Sequence, residues 1–344
     1  MPRNTNLTKE RFQNLDYSHQ YVADLAWIIT SPKLLSEIKL AEDIQSPAFS
    51  THSLESNIWP EWRKRLEAIN QSPEGLIDYI EQRQTKRVGF YYEALVSFLL
   101  KHFPYVELIA EHLQLQQQGK TLGEIDFIYK DEKSKKVIHL ETAVKFYLGS
   151  PAWLCADTPY KHWLGPMVKD RLDIKTQHLI NHQTRISQSP AFIEIAKEKQ
   201  LAIPDTQEVL MQGYLFTHPD KPLEYPYIIE DQLNTENPKS FWIKEEEIGK
   251  HLNDQDSFLI LTKPFWLSPF HDKASNALLT RDELQGKIQS LNEEWNRPVL
   301  ISTFEGIPED THEENNSRSL YQEANRCFIV PNNWAGINPP PAET

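Results

Sequence analysis

The sequence contains only two cysteines, Cys155 and Cys327, which lie far apart without a CxxC pair or a Cys/His ligand spacing. A zinc ribbon or a disulfide framework is therefore not expected. No segment reaches the roughly 18 uninterrupted apolar residues of a membrane helix, and residues 1–20 lack the apolar stretch of a signal peptide. We expect a cytoplasmic protein without a membrane partner.

Motifs of the commonest nucleotide-binding proteins and hydrolases are also missing. The sequence has no P-loop, no GxGxxG and no GxSxG pattern, which disfavours P-loop, dinucleotide-binding and serine-hydrolase functions. Basic residues are fewer than acidic ones, 36 against 49, for a net charge of -13. Residues 85–187 differ, with 14 Lys+Arg against 11 Asp+Glu, or +3, so the remainder carries 22 against 38, or -16. A polyanion partner, DNA or RNA, stays open for this central segment.

The spacing of apolar residues predicts an α/β fold with a mixed α+β sheet. The predicted regions are a helical N-terminal extension at 1–84, a core at 85–217, a smaller α+β region packed on the core at 218–336, and a disordered tail at 337–344. The core is predicted to contain, in order, a helix at 85–103, strands at 106–116, 122–130 and 135–149, a helix at 167–187 and a returning strand at 208–216. Short turns between the three central strands predict an antiparallel meander.

Two carboxylates interrupt the apolar pattern of the central strands. Asp126 lies in GEIDFI and Glu141 lies in VIHLETAV, and a carboxylate on a buried strand is unfavourable unless it is paired or binds a metal. On adjacent antiparallel strands the two side chains can face each other about 5 Å apart. Mg²⁺ or Mn²⁺ suits such a pair, because Mg²⁺ binds one or two carboxylates and keeps waters for a phosphate substrate. Glu93, at the polar boundary of the first core helix, is the expected third ligand.

These segments resemble a known superfamily. The helix with Glu93, the GEIDFI strand and the following strand with Glu141 and Lys145 resemble the αβββαβ core of the PD-(D/E)XK nucleases. More closely, GEIDFIY, HLETAVKFYLG and WLGPMVKDRLDIKTQHLINHQ resemble a bacterial family, DUF1853, that is placed in that superfamily. The resemblance implies a metal on Asp126 and Glu141, support from Glu93, and hydrolysis of nucleic acid.

The same resemblance implies a lysine that orients the attacking water. The usual Glu-x-Lys pattern places it two residues after Glu141, where this chain has Ala143, so Lys145 is the expected replacement. The second core helix would contribute Lys169, Arg171 or Lys175 to the phosphate backbone. An aromatic loop before that helix, with Trp153, Tyr160 and Trp163, could stack on bases.

Other interpretations of the same residues remain open. Asp126 and Glu141 can form a partly buried ion network with lysines and no metal. Lys145 can be an ordinary strand-end lysine, and the charges at 169–175 can be a solvated helix face. The substitution at Ala143 and the acidic flanks favour a rival function, a non-catalytic nuclease-fold module that binds nucleic acid or a protein.

Overall fold

The structure, a computed structural model, describes most of the chain. The described ranges are 17–31, 33–34, 44–45, 59–117, 120–150, 162–220, 240–270, 278–305 and 323–334. The predicted disordered tail, Cys155, and the loop residues Trp153 and Tyr160 lie outside these ranges. Among the described residues, no helix is both long and apolar enough to span a bilayer.

The chain divides into two compact units. Unit 1 comprises 1–144, 175–213 and 230–234, and unit 2 comprises 145–174, 214–229 and 235–344. Their helices are α1 Gln20–Thr30, α2 Trp59–Gln71, α3 Glu74–Glu81, α4 Val88–His102, α5 Leu172–Asn181, α6 Pro190–Glu198, α7 Ile248–His251 and α8 Arg281–Trp295. The strands are β1 Ile44–Gln45, β2 Val106–Gln117, β3 Lys120–Asp131, β4 Val137–Gly149, β5 Trp163–Leu164, β6 Thr206–Phe216, β7 Ser240–Lys244, β8 Ser257–Ile260, β9 Val299–Phe304 and β10 Glu323–Val330.

Helix α4 is the predicted first helix of the core. It begins after Arg87, which is extended, and ends at His102, because Phe103 precedes Pro104 and is extended, and the residue before a proline is disfavoured in helical conformation. Ten of its residues are buried, and it packs against α1 and β2. The Tyr91 hydroxyl donates a 2.6 Å hydrogen bond to the buried Asp24 carboxylate on α1.

The three-strand meander is confirmed. One sheet has the order β1-β6-β4-β3-β2 with β5 on β4, and β2–β3 and β3–β4 pair antiparallel. The turn between β3 and β4 is built by Asp131, whose carboxylate accepts from the amides of Lys133 at 2.9 Å and Ser134 at 3.3 Å. The predicted returning strand is β6, which lies beside β4. The mixed α+β class is therefore confirmed.

The second core helix is shorter than predicted. Val168 has a left-handed φ of 57°, in a turn where the Val168 amide donates to Gly165, so the helix cannot include it. After Asn181 the backbone departs from helical angles at His182 and continues as a 3-10 helix, Gln183–Gln188. The spacing of apolar residues predicts a single helix at 167–187, because it does not distinguish this turn, α5 and the 3-10 helix from one another.

Unit 2 contains the second sheet, with the order β7-β10-β9-β8. Strands β7 and β10 are parallel, and the other pairs are antiparallel. Helix α8 begins with a capping box between Thr280 and Glu283 and ends at Asn296 in left-handed conformation, both of which are common helix-end signals. Its Leu284 and Ile288 join the buried core of this sheet.

Candidate metal centre between strands β3 and β4

The site lies in unit 1, where the pairing of β3 and β4 ends. The ladder runs from Lys130 to Phe127, which is opposite Leu140, and one step further the register brings Asp126 opposite Glu141. At this position each strand offers a side-chain carboxylate, instead of a main-chain carbonyl, as the acceptor for an amide of the other strand. The Asp126 amide donates to Glu141 Oε1 over 3.5 Å, and the Thr142 amide donates to Asp126 Oδ2 over 2.8 Å. Directly opposed residues of antiparallel strands share a face, so the two carboxylates lie on the same side of the sheet.

Glu141 is fully buried and held at both oxygens. His139 Nε2 lies 2.7 Å from Oε1, and Gln183 Nε2 donates to Oε2 over 2.8 Å. His139 is itself fixed, because its Nδ1 lies 2.8 Å from the hydroxyl of buried Ser187. The 3-10 helix after α5 thus supplies both Gln183 and Ser187, and it determines the position of Glu141.

Asp126 is held on one side only. Its Oδ2 accepts from the amide of Thr142 and, at 3.1 Å, from the Thr142 hydroxyl. Among the described residues, no hydrogen-bond donor reaches Oδ1. Since Asp126 is only half-buried, this oxygen is available to a ligand.

A third and a fourth carboxylate lie nearby, on other elements. Glu93 projects from α4 with a side chain 21% exposed, and Glu124 lies on β3 two residues before Asp126. His112 of β2 lies between them, with Nδ1 at 4.0 Å from Glu93 Oε2 and 3.3 Å from Glu124 Oε1. His112 has a left-handed φ of 50°, which is uncommon for a residue with a side chain in a strand.

The carboxylates of the site resist ionisation. Burial, reinforced by Asp126 and the other acids, raises the pKa of Glu93 to about 7. Burial and then Glu141 raise the pKa of Asp126 to about 7, and burial raises the pKa of Glu141 to about 8. One basic side chain, Lys175 of α5, acts in the opposite direction and lowers the pKa of all three.

The other predicted basic residues lie in unit 2. Lys145 Nζ donates to Asp170 over 2.5 Å, while Lys169 is exposed. Arg171 is buried and binds both oxygens of Asp173, at 2.6 and 2.8 Å. Lys175, predicted only as a phosphate contact, is the lysine that acts electrostatically on Glu93, Asp126 and Glu141.

The donor set fits a hard divalent cation. All three side chains offer oxygen, the donor atom that Mg²⁺ and Mn²⁺ prefer, and their pKa values are raised chiefly by burial, which disfavours the charged form in the absence of a cation. The carboxylate oxygens of Glu93, Asp126 and Glu141 do not all lie within 4.8 Å of one another, however. Among the described residues, the ligand atoms that all lie within 4.8 Å of one another belong to a different group, Asp220, Glu247 and His251. An ion would therefore be held first by Asp126 and Glu141, with Glu93 approaching from α4.

Sequence reasoning did not identify His139, Gln183 and Ser187 as part of the site. His139 gave a signal, since it shares a strand face with Glu141 within an apolar run. Gln183 and Ser187 gave none, because they approach only through the 3-10 helix that follows α5.

No curated protein and no solved structure matches the chain. A family profile described as "Domain of unknown function (DUF1853)" matches residues 23–330. That range covers most of both units and every residue of the site. The chain belongs to the DUF1853 family.

Proposed function

We propose that this protein is a metal-dependent nuclease with a PD-(D/E)XK core that hydrolyses phosphodiester bonds of DNA or RNA. The order of elements supports it: helix α4, the meander of β2 to β4, helix α5 and strand β6 follow the αβββαβ order of that superfamily. The order of helices and strands supports only the architecture, so the proposed hydrolysis depends on the side chains of the site.

The observation that carries the proposal is the end of the β3–β4 ladder. Two carboxylates on opposed strands share one side of the sheet there, and each is oriented by an amide of the other strand. Such an arrangement fixes two oxygen ligands at a place where the sheet opens. Half-buried Asp126 and partly exposed Glu93 form its solvent side.

Asp126 and Glu141 would hold Mg²⁺ or Mn²⁺, assisted by Glu93. When bound, such an ion lowers the pKa of a coordinated water and neutralises charge on the scissile phosphate. The protein itself orients Glu141 through His139 and Gln183, orients Asp126 through Thr142, and keeps a cation, Lys175, beside them.

Lys175 takes the role that the sequence pattern suggested for Lys145. It lies within electrostatic reach of the three acids, where a substrate phosphate would also lie, and a lysine there stabilises developing negative charge. Lys145 is engaged by Asp170 in unit 2. The lysine absent at Ala143 is thus replaced from a helix rather than from the strand.

Purified protein is incubated with Mg²⁺ or Mn²⁺ and with single-stranded, double-stranded and branched DNA and RNA. We expect metal-dependent cleavage of at least one substrate, abolished in Asp126→Ala and retained in Glu107→Gln, an exposed carboxylate on β2 of the same sheet. Intact substrates under all these conditions would refute nuclease activity.

A non-catalytic binding module is the second candidate, and one observation favours it. Both oxygens of buried Glu141 already have hydrogen-bond partners, so the network is satisfied without an ion. Calorimetric titration of Mn²⁺ distinguishes the two candidates. Binding that Asp126→Ala removes supports the nuclease, whereas nucleic-acid binding without any Mn²⁺ binding supports the module.

A further inference from the structure

A second group of potential metal ligands lies in unit 2, apart from the proposed nuclease site. Asp220 follows β6, Glu247 ends a 3-10 turn, and His251 is the last residue of α7. One ligand atom from each lies within 4.8 Å of the others. We propose that these three side chains bind a Zn²⁺ ion.

The spacing suits a zinc coordination sphere. His251 Nε2 lies 3.0 Å from Asp220 Oδ2, and two ligands of a tetrahedral Zn²⁺ with bonds of about 2.0 to 2.1 Å lie about 3.3 Å apart. An imidazole together with two carboxylates is a donor set that zinc accepts, and it is softer than the all-oxygen set preferred by Mg²⁺. Asp220 is exposed, which leaves room for water as a fourth ligand.

His218 lies behind Glu247 and provides independent support. Its side chain is 1% exposed, its Nδ1 accepts from the Asp220 amide at 3.2 Å, and its proton therefore lies on Nε2, which donates to Glu247 Oε2 at 3.0 Å. The Lys244 amide donates to the same oxygen at 2.8 Å. Oε1 makes no hydrogen bond with a described residue, so Glu247 is oriented with one oxygen available. Metal-bound carboxylates are typically fixed by hydrogen bonds of this kind.

Charge in the cluster is compatible with a cation. Lys250 Nζ donates to Asp220 Oδ2, and His218 Nε2 and the Lys244 amide donate to Glu247 Oε2, so the two carboxylates are held among hydrogen-bond donors. Lys250 is the competitor for Asp220, but its side chain is 62% exposed and can move into solvent.

The ion would join positions 31 residues apart, Asp220 beyond β6 and His251 on α7. Closing a loop of this length by a metal stabilises the folded state, because the unfolded chain lacks a preformed site. The site would then be structural, and independent of the carboxylates between β3 and β4.

The test is calorimetric titration of the full chain with Zn²⁺ alone, after treatment with a chelator. We expect one tightly bound equivalent whose affinity falls at least tenfold in His251→Ala and in Asp220→Asn. The second variant changes an exposed side chain, so it keeps the test valid if His251→Ala does not fold. Asp126→Asn and His182→Ala, which removes one of two exposed histidines stacked on the surface near α5, should leave this equivalent unchanged. A visible absorption band of four-coordinate Co²⁺, lost in the same two variants, would support the donor set.

Absence of tight Zn²⁺ binding by the wild-type chain would overturn the proposal, and so would an affinity unchanged in both His251→Ala and Asp220→Asn. Loss of the equivalent in Asp126→Asn or His182→Ala alone would assign the ion to another site and equally overturn it.

Discussion

The Asp126 amide donates to Glu141 Oε1 over 3.5 Å, one position beyond the last main-chain pair of β3 and β4. A side-chain carboxylate thus takes the place of a carbonyl at the end of the ladder. Because buried amides are costly to leave unpaired, this contact gives Glu141 a structural role at the end of the ladder.

Replacing the buried acid should alter how stability depends on pH. In the folded protein Glu141 keeps its proton up to about pH 8, whereas its ordinary pKa is 4.5. Between these values the folded state holds the extra proton, so this group lowers stability as pH rises. Relative to wild type, Glu141→Gln should therefore gain stability as pH rises from about 4.5 to about 8, by up to roughly 5 kcal/mol. Urea unfolding in the presence of a chelator measures it. A difference that stays flat across this range would contradict the raised pKa, and Glu107→Gln is the control.

Substitutions of Lys175 and of Lys145 should have different effects on Mn²⁺ binding. Since Lys175 lowers the pKa of Glu93, Asp126 and Glu141, Lys175→Met should move the pH midpoint of Mn²⁺ binding upward and reduce cleavage about 100-fold. Lys145→Met breaks the pair with Asp170 and should leave the Mn²⁺ affinity unchanged. Calorimetry at several pH values, with Lys169→Met as an exposed control, separates them. The assignment to Lys175 fails if Lys145→Met alone weakens binding.

The fold of the core was largely predictable from sequence, while the site was so only in part. Period-2 and period-3.6 patterns identified the meander, α4 and β6, because those elements bury one face or both. The same patterns could not reveal where β3 and β4 stop pairing, since Asp126 and Glu141 continue the alternation past that point. Nor could they show that Lys175 lies within electrostatic reach of Glu93, Asp126 and Glu141, because its position depends on how a helix packs rather than on strand spacing.

Ser187 should stabilise the folded protein through the hydrogen bond between its hydroxyl and His139. Ser187→Ala leaves buried His139 Nδ1 without the hydroxyl at 2.8 Å, which should lower the free energy of unfolding by about 1 to 3 kcal/mol. It should also weaken Mn²⁺ binding, because His139 orients Glu141. Ser134→Ala, in the exposed β3–β4 turn, should stay within about 0.5 kcal/mol of wild type. Equal stabilities of the two variants in urea unfolding would argue against this chain of contacts.

Gly123 is tightly packed against the 3-10 helix. A Cβ at this position would lie 2.4 Å from Ile186 Cδ1, so Gly123→Ala should destabilise the protein by about 1 to 3 kcal/mol. Ile186→Val removes that methyl group, and the double variant should recover part of the loss. Thermal unfolding of both single variants and of the double variant measures the coupling. Additive effects would mean that the clash is relieved elsewhere.

The mutual capping of β3 and β4 has a consequence for experiments on the protein without any ligand. Because the amides of Asp126 and Thr142 are bonded to carboxylates, their hydrogen-exchange protection should depend on the charge and occupancy of those side chains, unlike that of ladder amides such as Phe127. These two amides are therefore native reporters for the site. Slowed or accelerated exchange there would register an arriving ion or phosphate without any attached label.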